Sequence, residues 1–100
     1  MIRHIVMWTL HDPADAPRFK ALLDSCARLV PGMVEFDVGI CDAALEASVD
    51  VVLVSTFTDV HQLGAYQSHP HHQAVAAQLS TMRASRHVLD HAFESGKAGG

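Results

Sequence analysis

The sequence predicts an α+β domain of order β-α-β-β-α-β: a four-stranded antiparallel sheet with its helices on one face. Three observations predict it. Apolar residues alternate with period two in stretches separated by turn residues, as strands require. Between those stretches the apolar spacing changes to three and four, as on one helix face. The first and third strands carry apolar residues on both faces, so neither side of the sheet is left to water. Together these give the split βαβ, ferredoxin-like arrangement.

Residues 2–10 open the chain as a strand, with Ile2, His4, Val6, Trp8 and Leu10 on one face and Arg3, Ile5, Met7 and Thr9 on the other. Asp12-Pro13 and Asp15-Ala16-Pro17 each set a capping carboxylate before an early proline, so either could start the first helix. Phe19, Leu22, Leu23, Cys26, Leu29 and Val30 form its stripe, and Pro31-Gly32 stops it. That stripe puts Leu22 and Leu29 in the core. A second strand covers 33–41, with Val34, Phe36, Val38 and Ile40 on one face. The loop 42–48 is too long for a tight hairpin turn. Residues 49–58 are rich in β-branched residues and apolar on both faces, as a central strand should be.

Asp59 caps a short helix whose inward positions are Val60, Leu63 and Tyr66. The stretch Tyr66-Gln67-Ser68-His69-Pro70-His71-His72 then breaks it. Pro70 suits a first helical turn, with Ser68 or His69 as the cap. The next helix runs from about Pro70 to Met82, and His72 heads its apolar stripe of Val75, Ala76, Leu79 and Met82. Residues 86–94 form the last strand, anchored by Val88, Leu89 and Phe93. The domain is expected to span 1–94, with a disordered tail at 95–100.

The chain of 100 residues suffices for one domain with a modest core, and 49% apolar content makes it globular. A net charge of −4 with seven basic residues does not suit a phosphate backbone, so no nucleic-acid partner is expected. The Lys/Arg-Gly-Phe/Tyr strand motif of RNA-recognition domains is missing as well. No apolar run approaches the roughly 20 residues of a membrane span, and no signal peptide is visible. A cytoplasmic protein is expected, with Cys26 and Cys41 as free thiols. Ile5, Met7, Val52 and Val54 would form an apolar patch on the sheet face away from the helices. A second copy of the chain, related by two-fold symmetry, is the simplest cover, so a homodimer with its sheets face to face is expected.

Several segments carry a family resemblance: Ile2-Arg3-His4-Ile5-Val6, Val30-Pro31-Gly32-Met33, Phe36-Asp37-Val38-Gly39, the run from Val51 to Phe57, Tyr66-Gln67-Ser68-His69-Pro70-His71-His72 and Val88-Leu89-Asp90. The chain resembles the stress-responsive A/B barrel (Dabb) domains of the dimeric α+β barrel superfamily over about 1–94. The Tyr-x-x-His-Pro-x-His segment is the most specific part. The resemblance implies a dimer with a small cavity between sheet and helices in each subunit. Plant polyketide cyclases of this family are similar at their catalytic Tyr and His, which fall on Tyr66 and His72, and at a pocket histidine, which falls on His4. Val51 stands where the cyclase pocket has another histidine, and Leu23 replaces an aromatic residue. Some plant members hold magnesium through carbonyls that would fall around Cys26, Leu29 and Gly32. Related barrels include cofactor-free oxygenases and haem-binding proteins.

A Tyr–His pair can polarise a carbonyl and move a proton: the phenol donates to developing oxyanion charge and a neutral imidazole takes the proton. Near a helix N-terminus the dipole favours the neutral ring. The candidate catalytic residues are therefore His72, Tyr66 and His4. The alternative is that His72 bonds His4 or Tyr66 and only keeps the broken helix docked. His69, His71 and His72 invite a metal, but no third ligand has a convincing spacing, so neither metal nor cofactor is expected. Three roles stay open: an enzyme acting on a carbonyl compound, a non-catalytic binder of a small apolar ligand, and a structural module with a filled core.

Overall fold

The computed structural model describes residues 1–94; the expected tail at 95–100 lies outside them. Strands β1 (Ile2–Leu10), β2 (Met33–Ile40), β3 (Val51–Phe57) and β4 (Arg83–Ala92) form one antiparallel sheet in the order β2-β3-β1-β4. Helices α1 (Ala16–Asp24), α2 (Val60–Ser68) and α3 (Pro70–Met82) cover one side. This is the ferredoxin-like α+β fold.

Alternation along β1 decides the layers. His4, Val6, Trp8 and Leu10 are buried under the helices. Their neighbours across β3 are Ser55, Leu53 and Val51, which pair with His4, Val6 and Trp8 and are equally buried. Phe19 of α1 meets Trp8 edge-on at 5.1 Å between centroids. Phe57, Tyr66, Val75 and Leu79 complete the core.

The first helix is shorter than its apolar stripe implies. Ser25 Oγ donates to the Leu22 carbonyl at 2.6 Å, and the Cys26 N–H reaches Leu23 rather than residue 22. Such tight bonds end α1 at Asp24 and pass the chain into turns. Cys26 stays buried, but Leu22 and Leu29 only pack against the core from half-exposed positions. Of the two possible starts, Asp12 caps a 3-10 turn over Pro13–Asp15 through the Ala14 N–H, while Asp15 makes no side-chain cap bond for α1.

Gly32 ties the turns to α2. Its N–H donates to Gln62 Oε1 at 3.0 Å, and a Cβ there would lie 2.1 Å from Gln62 Cγ. Asp59 caps α2 through the Gln62 N–H, at 2.9 Å. Two strand starts differ from the sequence reading. β3 starts at Val51 because Asp50 is taken up by β1: its N–H donates to the Trp8 carbonyl and its carboxylate accepts from Leu10 N–H. β4 starts at Arg83, directly at the end of α3 with no loop between them.

Val88 and Leu89 do not anchor β4: they are 50% and 61% exposed. β4 is an edge strand, and the helices do not cover Val88. Leu89 pairs with Ile5 on the opposite face, where Met7, Val52 and Val54 also lie. Among the described residues no layer covers that face.

Replacing fully buried Leu53 by Ala should cost about 2–5 kcal/mol, and Leu22→Ala clearly less, because half-exposed Leu22 leaves a smaller void. Urea titration of both variants checks this; equal losses would contradict the assigned layers.

Candidate active site

His69 separates α2 from α3. Its backbone is extended, at φ −62° and ψ 132°, and it is the cap rather than Ser68: Nδ1 accepts the His71 N–H at 3.0 Å. Pro70 follows at the first helical position. The break lets the end of α2 and the start of α3 face one place. Tyr66 comes from the last turn of α2 and His72 from the first turn of α3, with ring centroids 4.5 Å apart. His4 comes up from β1 with its ring 6.4 Å from Tyr66. The structure brings all three to one cavity of about 110 Å³. Val6, Trp8, Leu53, Val75 and Leu79 supply its apolar walls.

Each polar group on the cavity is held in a definite state. His72 Nδ1–H donates to the Gln67 carbonyl at 3.1 Å, an acceptor left over at the end of α2. Nε2 therefore carries the lone pair. Burial holds the His72 imidazole below its ordinary value, against the Gln67 bond, and the charges of His4, Arg86 and His69 add to the depression. The ring is neutral at pH 7. Burial also raises the Tyr66 phenol well above its ordinary value, with the Cys26 sulfur adding to the shift, so the hydroxyl keeps its proton. The Cys26 thiol is raised too, which makes it a poor nucleophile.

His4 is 3% exposed and donates through Nδ1 to the Asp90 carboxylate of β4. The carboxylate fixes the ring and its tautomer, as in a His–Asp dyad. Sequence reasoning did not single out Asp90, which pairs with His4 as Val88 pairs with Val6 and so shares their face of the sheet. Arg83 and Arg86 also line the cavity and were missed. They precede or open the strand as read from sequence.

The two other histidines of this segment are spent locally. His71 Nε2 bonds Ser25 Oγ at 2.8 Å, and His69 caps α3. Among the described residues no group of three His, Cys, Asp or Glu side chains is arranged to hold a metal ion. No helix among them is long and apolar enough to cross a membrane.

A family model for the stress responsive A/B barrel domain matches residues 2–93. The chain belongs to that family. Solved structures similar to this Dabb chain include a dimeric ferredoxin-like protein from Thermobifida fusca, 24% identical, with a TM-score of 0.81 over 92% of this chain and 90% of that one. Another dimeric ferredoxin-like protein, from Jannaschia sp. CCS1, is 29% identical with a TM-score of 0.74, over 92% and 98%. A hydroxynitrile lyase from Passiflora edulis is 19% identical with a TM-score of 0.76, over 94% of each chain, and shows the shared fold alone. No curated protein matches the chain significantly.

The lowered His72 pKa has a consequence for stability. Above about pH 6.5 His72 is neutral in both folded and unfolded chains. As pH falls below that value, the unfolded chain takes up the proton first. The contribution of half-buried His72 is thus complete above the unfolded pKa and is lost as pH falls through the folded one. The stability difference between the unmodified protein and His72→Asn should shrink between pH 7.5 and about 5. Urea titrations across that range check it; a constant difference would mean the ring is not buried in its neutral form.

Proposed function

We propose that this Dabb protein acts on a small carbonyl compound bound between sheet and helices, by acid–base catalysis through Tyr66 and His72. The observation that carries the reading is the pair of rings 4.5 Å apart on one partly open cavity with mostly apolar walls. The Tyr66 hydroxyl donates a hydrogen bond to the carbonyl oxygen. His72 Nε2 removes a proton from the adjacent carbon, and the C–H electron pair moves into an enolate whose charge rests on the oxygen facing Tyr66. Return of the proton from His72 to the same carbon gives exchange and to the enolate oxygen gives the enol; addition of the enolate carbon to a second carbonyl forms a C–C bond and an alkoxide, which takes the proton back from His72. His4, oriented by Asp90, is the second imidazole on the cavity and positions the substrate.

Size limits the substrate. Pockets for drug-sized ligands run to about 300–1,000 Å³. A void of about 110 Å³ takes a compound of only a few carbons. That volume and its polar lining also argue against a purely structural module with a filled core. Under the structural reading the Tyr66–His72 contact would serve docking alone.

The functional unit is a homodimer. Ile5, Met7, Val52, Val54 and Leu89 share the uncovered sheet face, and similar solved structures are dimeric. Each such side chain contributes roughly 1.5–3 kcal/mol when buried, as an upper bound.

Deuterium uptake at the α-carbon of small ketones and aldehydes, followed by NMR, tests the chemistry. His72→Ala should slow exchange by about 10²–10⁴-fold, and Tyr66→Phe by about 10²–10³-fold with the fold intact. Rates identical to the unmodified protein would leave the pair a structural role. Val54→Asp should convert the dimer to monomer or aggregate in light scattering. A folded monomer of the unmodified protein at micromolar concentration would remove the dimer from the proposal.

A further inference from the structure

The chain is acidic, at −4 overall with seven Lys and Arg residues, yet two of those seven line one small cavity. Arg83 and Arg86 stand on its wall, and no Asp or Glu does. They are three apart in sequence, a spacing that would put them on opposite faces of a regular strand. The pairing of β1 with β4 shows why they share a face. Trp8 pairs with Arg86, Thr9 with Ser85 and Leu10 with Arg83; the register shifts between Thr9 and Leu10. Trp8 and Leu10 both point under the helices, so the shift brings both arginines to the helix side. Bulges of this kind re-aim side chains beside functional sites. Arg86 also acts electrostatically on His72, which places its charge close to the proposed base.

We propose that Arg83 and Arg86 form a carboxylate-recognition pair, and that the ligand of this cavity is a small anionic carbonyl compound of the 2-oxo acid class. The inference rests on the carbonyl reading of the site and specifies its substrate. A guanidinium presents a planar fork of donors that matches a carboxylate. With the carboxylate on the arginines, the ketone next to it reaches toward Tyr66 and His72 on the same void. Arg86 is exposed and Arg83 half-buried, so salt screens the attraction; among the described residues no carboxylate lines the cavity, and Asp90, on the same face of β4, is engaged by His4.

Calorimetric titration with pyruvate, 2-butanone and propanoate, in low-salt buffer free of phosphate, tests it. Pyruvate should bind more tightly than 2-butanone, and added salt should weaken it. Arg86→Gln should weaken pyruvate roughly ten- to hundredfold, and the double variant with Arg83→Gln at least as much, while 2-butanone binding stays unchanged. Arg86→Lys should recover part of the loss. Arg86 is exposed on its strand, so its single variant should fold even where the double one does not; thermal melts check both. Pyruvate affinity unchanged in Arg86→Gln, or 2-butanone bound as tightly as pyruvate, would overturn the carboxylate pair and leave the carbonyl reading standing. Propanoate bound as tightly as pyruvate, and lost with the arginines, would support the pair and count against the carbonyl chemistry. Binding of none of the three would overturn both.

Discussion

The pairing of β1 with β3 on one edge and β4 on the other sets which side chains meet the helices. A regular strand alternates its faces, so one register choice places His4, Val6, Trp8 and Leu10 together inside. The same choice puts Asp90 opposite His4 and Ser55 on the other flank. A slip by one residue would turn His4 out and leave Ile5 and Met7 under the helices. The buried imidazole, its carboxylate partner and the floor of the cavity all follow from that pairing.

The roof depends on a different device. One uninterrupted helix from 60 to 82 could not hold Tyr66 and His72 as they stand, because residues six apart lie on different sides of a helix. His69 leaves the helical conformation, caps the next helix through its ring, and hands over to Pro70. His72 then bonds the Gln67 carbonyl across the break. The bond that stitches the two helices also selects the tautomer of the ring, so the same contact serves folding and chemistry. This is why docking and catalysis compete as explanations of His72: the geometry satisfies both.

Burial tunes the two groups in opposite directions of charge and toward the same end. Removing water disfavours the imidazolium of His72 and the phenolate of Tyr66, so both are neutral near pH 7, one as acceptor and one as donor. Arg86 reinforces the first effect. A cavity with neutral Tyr66 and His72 and two guanidiniums at its wall suits the anionic carbonyl ligand proposed for it. The uncovered sheet face lies on the side away from the helices, so the dimer proposed there would leave the cavity walls to one chain.

Much of this was legible in the sequence. Period two marked the strands, period three to four marked the helix faces, and Asp59 and Pro70 marked two helix starts, because each is a local property of the backbone. Tyr66 and His72 stood out for the same reason: the Pro70 break and the apolar stripe lie within one short segment. What lay beyond local reading was everything set by pairing between distant segments. The end of α1 at Asp24 is decided by the Ser25 side chain against an apolar stripe that ran further. Val88 and Leu89 look like core residues, but an edge strand has nothing to cover them. Asp90 and the arginines 83 and 86 enter the site only through the register and bulge of β1 against β4, which no spacing within either strand encodes. The sequence by itself determined the elements and two of the cavity's polar groups; the tertiary structure decided which charges join them, because only strand pairing brings residues some eighty positions apart to the same face.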